Sequence, residues 1–505
     1  MKFFSEKHLA TIRRKKWWFI GGTALVVIAI IAIVLGVVLT RKDKDGIMPS
    51  ICITGMNQTN SINGGGSTQV GEISPASKSG TSNLISLAPN STALCYSVLN
   101  NLYDIIPDFS GVGYRAGLED IPTSISTVQT LSPSTDGSDD TARIQSAILE
   151  LGKRPVGPNG YRGALLLSSG VYRIGGSINI TASGIVLRGD SKGNTTLLAT
   201  GNSTYTVIQV NGPVNGLQST SSRYNIVSSY TPLGARQVNV SPSDSRNLRV
   251  GDEIIITRTG NQDWIQAINM ANLSSRDPPG RHSKNWVPFE LRFTRTVKAV
   301  DYKKGIIGLD IPLTNSIDQK WGGGYVQKFT LPNRLQNIGI EYINGISQFD
   351  PSKTSSIGSQ TPYFSDENHA DKLITFTGVQ NAWARYITSK YFDHFIEAGA
   401  NAKWITVEYC SYSDPVSVIT GGRRYSYLIE SGAEQILYQH VTASESRHAF
   451  AYGSHVTGPN VFYNCTAQKE YDTSGKSFGA IIRSRDYRLT CEIRTTSLVV
   501  SGRPV

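Results

Sequence analysis

The sequence of 505 residues predicts an all-β solenoid, built from short parallel strands that stack coil on coil behind one N-terminal cap helix. Three observations lead to this fold class. A short apolar strand pattern recurs through the C-terminal half, and a single amphipathic helix precedes strands that glycines separate. An uncharged apolar run near the N-terminus divides a basic tail from everything that follows. The chain therefore consists of a tail, a membrane span, a stalk, the solenoid and a final segment.

The N-terminal residues predict a membrane anchor. Residues 17–39, WWFIGGTALVVIAIIAIVLGVVL, carry no charge and meet the length of about 20 apolar residues that crosses a bilayer. Six basic residues lie in the tail, residues 1–16, so the positive-inside rule places this tail in the cytoplasm and the C-terminus outside. We expect a single-pass type II protein rather than a cleaved signal peptide, because the apolar run is too long and lacks a nearby small-residue cleavage site.

Residues 40–95 predict a flexible stalk that holds an extracellular or lumenal domain away from the membrane. Segments such as SINGGGSTQ and SPASKSGTS contain too little apolar surface to fold. Sequons for N-glycosylation agree with export, although each alone is a weak signal. Two further triplets begin at Asn179 and at Asn464, the latter expected in a buried strand. We expect glycans at Asn57, Asn90, Asn194, Asn202, Asn239 and Asn272.

The charge and the cysteines exclude several classes of protein. The net charge of +11 is partly local to the basic tail, so we expect no nucleic-acid partner. The five cysteines match no metal-ligand spacing and no disulfide framework, and at most one or two bridges are expected. Nothing in the composition indicates an oligomer, and we expect a monomer.

The segment DGSDDTARIQSAILEL, Asp136 to Leu151, predicts the cap helix. Its acidic start supplies side chains for the N-cap and negative charge for the positive end of the helix. Short strands such as GALLLSSGVYRI follow it, as expected where a helix covers the open interior of a first coil. Four apolar residues share one face of this helix: Ile144, Ala147, Ile148 and Leu151.

Five segments of the C-terminal half align without gaps: GIEYINGI, WARYITSK, ITVEYCSY, LYQHVTAS and VFYNCTAQ. The intervals between them are interpreted as about two coils for the first and one coil for each of the others. His440 holds the slot just before an inward position and is expected to pack outward; the same slot is held elsewhere by Tyr342, Tyr386, Tyr409 and Asn464. The inward positions themselves are Ile343, Ile387, Cys410, Val441 and Cys465. On this register the two cysteines are core residues two coils apart, roughly 10 Å and too far for a bridge.

The solenoid is expected to span residues 96–475. Within it, residues 254–312 read as a strand-rich insertion, as in VGDEIIITRT and FTRTVKAVDYKKGIIGLDIPL. After residue 475 the repeat ends. Residues 476–505 therefore form either an irregular cap or a shortened end of the solenoid.

The run DFSGVGYRAG, followed by DGSDDTARIQSAI and GALLLSSGVYRIGGSINI, resembles the start of the pectate-lyase-like superfamily of right-handed parallel β-helices. The resemblance covers roughly residues 103 to 475. It implies the fold and a carbohydrate-active protein, but the superfamily includes lyases, hydrolases, epimerases and non-catalytic members, so the reaction stays open.

The repeat predicts where a site would lie. Seven residues after the inward positions Ile387 and Val441 come His394 and His448. With a loop absorbed between them, Arg424 or Arg423 falls in the same column, and stacking places the three about 4.8 Å apart in successive coils. The expected catalytic residues are His448, Arg447, Arg424, His394 and Tyr452. The expected substrate-binding residues are Arg423, Tyr425, Tyr427, His455, and the loop residues Trp264 and Trp286.

These residue types suit a polysaccharide lyase that acts on uronates. Arginine binds a carboxylate in bidentate fashion, and histidine beside cations serves as the base that removes the C5 proton. A calcium ion neutralises the carboxylate in some members of the superfamily. This basic, aromatic strip has only Asp393, Glu397 and Glu430 close by and lacks the carboxylate cluster that calcium needs, so no cofactor is expected.

Two alternatives remain at this point. Hydrolysis needs two positioned carboxyl groups, and no Asp–Asp pair stands in the central coils. The acidic segment YFSDENHAD reads as a solvated loop. A protein that binds cell-wall polysaccharide without cleaving it would present the same basic, aromatic strip. We therefore expect a lyase ahead of a hydrolase, an epimerase or a binding protein.

Overall fold

The computed structural model describes residues 50–53, 84–87, 94–215, 218–273, 275, 284–357 and 362–471, with short strands at 477–478, 483–484 and 492–493. No helix within these ranges is long and apolar enough to cross a membrane. The predicted tail and membrane span, residues 1–39, lie outside them, as do Asn57, Asn90 and most of the predicted final segment.

The chain divides into two compact units. The first contains Met1–Pro107, Tyr224–Asp252 and Arg295–Lys320, and the second contains Asp108–Arg223, Glu253–Thr294 and Trp321–Val505. The candidate site belongs to the second unit.

The predicted stalk contains regular structure, in the first unit. A three-stranded antiparallel sheet has Leu94–Ser97 at its centre, between Ser50–Ile53 and Ile85–Leu87. The backbone of Cys52 lies opposite Cys95, which is disulfide-bonded. The prediction of an unstructured stalk is therefore wrong for these strands, since alternating apolar residues pair in a ladder and a cross-link reduces the entropy lost on folding.

The other elements of the first unit are short. They include the antiparallel pairs Tyr230–Thr231 with Ile317–Asp318 and Gln237–Asn239 with Ile306–Leu309. The strand Leu291–Asp301 pairs with Ile306–Leu309 from Val297 onward, and the helix Pro242–Ser245 begins at the N-cap Ser241. Tyr224–Asn225 is a further two-residue strand.

The second unit is a parallel β-helix behind a cap helix, as predicted. The helix Thr141–Lys153 buries the four predicted residues, Ile144, Ala147, Ile148 and Leu151. The N-cap residue Asp140 makes no side-chain capping bond. Asp139 Oδ1 instead accepts hydrogen bonds from the Thr141 backbone N–H at 2.8 Å and from its hydroxyl at 2.6 Å, which satisfies the first N–H of the helix. The right-handed turn that parallel crossovers almost always adopt is the expected hand of the coil.

Three parallel faces stack along this unit. The first contains Thr127–Leu131, Gly163–Leu167, Ile185–Arg188, Leu335–Ser347, Val379–Tyr391, Lys403–Glu408, Glu434–Gln439, Val461–Tyr463 and Glu492–Ile493. The second contains Gly170–Ile174, Thr195–Ala199, the second halves of the two 13-residue strands, Ser411–Pro415, Thr442–Ser444 and Thr466–Gln468. The third contains Ile178–Ile180, Thr206–Asn211, Lys372–Thr377, His394–Ala398, Tyr425–Ile429, His448–Tyr452 and Arg483–Ser484.

The predicted register is confirmed at the corner between the first two faces. Ile343 pairs with Ile387. The residues that directly follow the inward positions also pair, Thr388 with Ser411, Ser411 with Thr442 and Thr442 with Thr466. Cys410 and Cys465 are buried, as expected of core residues. The interval from Ile343 to Ile387 is one coil rather than two, because a long loop with the hairpin Thr354–Ser355 and Tyr363–Phe364 fills it.

The insertion is longer than predicted. Parallel pairing passes directly from Ile185–Arg188 to Leu335–Ser347 and from Thr206–Asn211 to Lys372–Thr377, so residues 212–334 are inserted rather than 254–312. In the second unit the insertion contributes the helix Gln262–Ala267 and the strands Gln218–Ser219, Glu253–Arg258 and Gly324–Thr330, which pair antiparallel. The short 3₁₀ turn Gln319–Trp321 precedes the last of these strands, and another, Tyr114–Gly117, lies ahead of the cap helix. Antiparallel strands carry no coil repeat, which is why the periodic pattern did not reveal these bounds.

The asparagines of the predicted sequons differ in exposure. Asn194, Asn202 and Asn272 are exposed, and Asn239 is half-buried at the end of a strand. Asn464 is exposed, contrary to the expectation of a buried strand, because it occupies a corner with φ of 50° beside His440.

Candidate functional site

Alternation along the third face defines the candidate site. Ile374, Ile396 and Tyr427 lie opposite one another in adjacent coils and belong to the buried core. Because side chains alternate along a strand, Glu397 points away from the core. Glu430 follows the buried residue Ile429 and points to the same outer side.

Glu397 and Glu430 are diagonal neighbours on adjacent coils. Glu397 pairs with Leu428, two residues before Glu430, so their Cα atoms lie roughly 8 Å apart by strand geometry. Lys372 Nζ donates to Glu397 Oε2 at 2.7 Å. Burial lowers the pKa of Lys372, but the charge of Glu397 and its hydrogen bond outweigh this effect and leave the pKa raised. Glu397 therefore has a charged partner.

Glu430 has a different environment. Burial raises the pKa of its carboxyl group above the ordinary value, and the charge of Glu397 raises it further. Lys372 and His394 lower it by smaller amounts. The two carboxyl groups thus differ in environment: Glu430 has a raised pKa, which favours its protonated form, and Glu397 is paired with a cation, a combination suited to acid–base catalysis.

Glycines flank Glu430 in the neighbouring coils. Gly399 occupies the matching position of the preceding coil and Gly453 that of the next. A Cβ added at Gly453 would collide with the Glu430 carboxylate. The absence of a side chain at position 453 is therefore what leaves room for the acid.

A column of four residues lies beside the carboxyl groups. Lys372 pairs with His394, and Tyr425 pairs with His448. The rings of His394 and Tyr425 lie 5.6 Å apart and those of Tyr425 and His448 lie 5.0 Å apart. His394 and His448 share a column as expected, but the residue between them is Tyr425.

The prediction that Arg424 or Arg423 stands in this column is wrong. Arg424 adopts a φ of 58°, and its side chain is buried. Its Nη2 donates to the carbonyls of Ser417 at 2.8 Å and Phe364 at 3.2 Å. The left-handed backbone shifts the register by one residue and turns Arg424 towards the wall of the site. Arg424 is therefore unavailable to bind a substrate carboxylate.

Asp393 organises the start of this column. Its Oδ2 lies 2.9 Å from His394 Nδ1, and its Oδ1 accepts from the Ser417 hydroxyl at 2.7 Å and from the Arg424 backbone N–H at 2.6 Å. Burial raises the pKa of Asp393, but these partners outweigh burial and hold it below the ordinary value. A charged, buried carboxylate thus orients the His394 ring.

Two arginines frame the site. Arg423 Nε donates to Glu367 Oε2 at 2.7 Å, and this contact raises the pKa of Arg423 although burial opposes it. Arg447 Nη1 donates to the Tyr425 hydroxyl at 3.3 Å. Both side chains are partly exposed and lie at the edge of the column.

The acidic segment on the preceding loop is packed rather than solvated. Asp366 and His369 are buried, with His369 between the Ser347 hydroxyl at 2.8 Å and the Val416 carbonyl at 3.0 Å. The solvated-loop interpretation is therefore wrong for these two residues.

Two of the predicted residues are part of the core. Tyr427 is fully buried, and its hydroxyl donates to the Cys410 and Thr442 carbonyls at 3.0 and 3.1 Å. Tyr452 is also buried in the core cluster. Their placement on the exposed strip was wrong, because both occupy inward positions of the alternating pattern.

The three remaining predicted binding residues meet around Phe289, in a cluster that we call the aromatic lip: Trp264, Trp286, Phe289 and His455. The ring of Phe289 lies 4.2 Å from His455, 5.2 Å from Trp264 and 5.8 Å from Trp286. His455 is exposed, and the other three are half-buried. His455 of the lip follows Gly453 by two residues, so the lip borders the carboxyl pair.

Sequence reasoning placed Glu397 and Glu430 close to the strip but did not recognise them as a pair, and it missed Lys372 and Phe289. The two glutamates stand 33 positions apart in coils of unequal length, so no fixed spacing marks them as a pair. A search restricted to Asp–Asp pairs also excluded them. Within the described ranges no group of three or more His, Cys, Asp or Glu side chains is placed to hold a metal ion.

Comparisons with known proteins find only distant structural similarity. No family model and no curated protein matches the chain. Open reading frame 18 of Geobacillus virus E2 is 10% identical, covering 68% of this chain and 43% of that one, with a TM-score of 0.32. The tailspike gp49 of Pseudomonas phage LKA1 is 14% identical over 68% and 56%, with a TM-score of 0.29.

An exopolygalacturonase of Thermotoga maritima is 15% identical over 69% of this chain and 66% of its own, with a TM-score of 0.25. The chain spans about half the length of the two viral proteins. At TM-scores this low, none of the three carries an argument about the site.

Proposed function

We propose that this protein cleaves glycosidic bonds of a polysaccharide. Glu430 would be the general acid, and Glu397 would be the carboxylate that acts as base or nucleophile. The observation that carries the proposal is the pair itself, two neighbouring carboxyl groups of which one has a raised pKa and the other is bound to Lys372. The resemblance of the N-terminal segments to the pectate-lyase-like superfamily supports a glycan as the substrate.

In this mechanism Glu430 gives its proton to the oxygen of the leaving sugar as the glycosidic bond breaks. Glu397 either takes a proton from the water that attacks the anomeric carbon or attacks that carbon itself before water releases the sugar. Lys372 binds Glu397 through its ammonium group, and Gly453 leaves room for Glu430. The aromatic lip would contact the sugar rings on one side of the cleaved bond.

A lyase is the second candidate, favoured by one observation. His394 Nδ1 lies 2.9 Å from the buried carboxylate of Asp393, which is how proteins orient a histidine base. In a lyase His394 would remove the C5 proton of a uronate, with His448 assisting, while Arg423 and Arg447 held the sugar carboxylate. A protein with the same strip that binds polysaccharide without cleaving it remains the non-catalytic alternative.

One assay separates these functions. The full chain and the variants Glu430→Gln and His394→Asn are mixed with neutral and uronate polysaccharides, and both new reducing ends and the ultraviolet absorbance of an unsaturated product are recorded. Reducing ends without absorbance, lost in Glu430→Gln, support the hydrolase. Absorbance that His394→Asn abolishes replaces it with the lyase. If folded protein gives neither signal, both enzymatic proposals are contradicted and a binding protein is left.

The setting of the enzyme is proposed from the sequence alone. Residues 17–39 would anchor it as a single-pass type II membrane protein, with the solenoid extracellular or lumenal and glycosylated at the exposed Asn194, Asn202 and Asn272. In sealed microsomes, added protease should remove the N-terminal tail and leave the solenoid protected, and a glycosidase-sensitive mass would show the glycans.

A further inference from the structure

Glu434 connects two distant segments of the second unit. It is buried on the first face and pairs in register with Lys403. Its Oε1 accepts from the Thr294 backbone N–H at 3.0 Å and from the Thr457 hydroxyl at 3.1 Å. Lys403 Nζ donates to the Thr294 carbonyl at 3.3 Å. Two buried charged side chains, Glu434 and Lys403, thus hold the backbone of the insertion where it meets the solenoid.

The two segments that Glu434 fixes are those that build the aromatic lip. Thr294 follows Phe289 by five residues, and Thr457 follows His455 by two. The closest ring contact in the lip, 4.2 Å between Phe289 and His455, joins these same segments. Glu434 therefore sets the position of Phe289 relative to His455.

The lip lies within reach of the acid. Gly453 is close enough to Glu430 that any side chain at 453 would collide with its carboxylate. Two extended residues span at most about 7 Å, so the backbone of His455 lies no further than that from Gly453. This separation is comparable with the length of one sugar unit. A sugar next to the bond that Glu430 protonates would therefore meet the lip.

Trp264 has a supporting part in the lip. The guanidinium carbon of Arg258 lies 4.4 Å from the Trp264 ring centre, and Phe289 approaches the same indole at 5.2 Å. Arg258 thus covers Trp264, whereas the rings of Trp286 and His455 contact Phe289 at 5.8 and 4.2 Å.

We propose that Trp286, Phe289 and His455 form a sugar-stacking subsite for a pyranose ring of the polysaccharide, and that Glu434 is its positioning residue. The inference rests on the proposed function only for the identity of the ligand as a glycan. Aromatic rings present large, rigid apolar faces, and such faces can stack on the apolar face of a pyranose ring.

The test measures binding and turnover separately. Binding of oligogalacturonides and cello-oligosaccharides is followed by tryptophan fluorescence in the full chain that carries Glu430→Gln. Adding Trp286→Ala or Phe289→Ala is expected to weaken binding roughly tenfold. With Glu430 intact, Glu434→Gln is expected to raise KM by a similar factor and to change kcat little. Glu408→Gln, on the same face but bonded to Gln439, is the matched control.

Each outcome decides one proposal. If Phe289→Ala binds as tightly as its parent, or if no oligosaccharide of either kind binds, the subsite is overturned. If Glu434→Gln lowers kcat rather than raising KM, its positioning role is overturned, and a melting curve shows whether the variant still folds. If Glu430→Gln retains full turnover, the acid is wrongly assigned, whereas the affinities still test the subsite.

Discussion

Glu430 occupies the space that a side chain at position 453 would fill. The two positions lie in the same outer column of adjacent coils, and a Cβ on Gly453 would collide with both carboxylate oxygens and their carbon. Since Gly453 does not adopt a positive φ, its backbone alone does not require glycine. The requirement comes from the neighbouring carboxyl group.

Gly453→Ala is therefore expected to displace Glu430 without unfolding the protein. A shift of the acid of about 1 Å lowers kcat by roughly a hundredfold. Gly421→Ala is the matched control, because a Cβ at that position meets nothing within 4 Å. Turnover is measured for both, with melting curves. Equal turnover in the two variants would show that the Glu430 carboxylate has no part in the reaction.

The pH dependence of turnover is expected to follow Glu430. A general acid must be protonated, so activity falls as the pH rises through its pKa, and a raised pKa moves this fall to higher pH. Lys372 lowers the pKa of Glu430 through its charge. Lys372→Met should therefore move the basic limb of kcat/KM to still higher pH, whereas Lys390→Met, which loses only the ion pair with Asp414, should not move it. A shift to lower pH would contradict the assignment.

Asp393 is expected to make stability depend on pH. Its pKa is lower in the folded protein than in the unfolded chain, so its stabilising effect is present above the unfolded pKa and is lost as the pH falls through the folded one. The free energy of unfolding should therefore decline below about pH 4. Asp393→Asn should be less stable at neutral pH and show a flatter decline, in urea unfolding at several pH values. Asp120→Asn, at an exposed position, should behave as the parent, and an unchanged slope in Asp393→Asn would refute the argument.

The sequence was sufficient to predict the solenoid because its core leaves a local signal. The inward positions, from Ile343 and Ile387 onward, are small or branched apolar residues, and each is preceded by a residue of the outer corner. The interval of 44 residues from Ile343 to Ile387 was interpreted as two coils because one coil contains a long loop. Spacing counts residues, whereas coils are set by pairing, and a loop adds residues without adding a strand.

The candidate site was only partly predictable for the same reason. His394 and His448 were brought into one column by counting from core positions, which are rigid. Arg424 was misplaced by one residue, because the preceding turn uses a left-handed backbone that the sequence does not reveal for an arginine. Glu397 and Glu430 belong together only through the register of two strands. Their partnership is a property of pairing, which no local pattern shows.

The stacked corner is expected to stabilise the solenoid. Tyr342, Tyr386, Tyr409 and His440 form a continuous stack with ring centres 4.9, 5.3 and 5.1 Å apart and planes within 8° of parallel. Tyr409 stacks on both sides and Tyr342 on one. Tyr409→Leu should therefore lower the free energy of unfolding by about 1–3 kcal/mol and Tyr342→Leu by about half as much. Urea unfolding measures both, and equal losses would indicate that the rings act independently of their neighbours.

The two buried thiols are expected to be inert in the folded protein. Burial raises the pKa of Cys410 to about 12, and Cys465 lies two coils further along the same core column. Because the thiolate is the reactive form, a maleimide should label neither cysteine in native buffer and both in denaturant, as read by the mass of their peptides. Labelling in native buffer at the rate seen in denaturant would mean that these coils open freely. Labelling of Cys465 alone would place that opening at the C-terminal coil, since Cys410 is enclosed by coils on both sides.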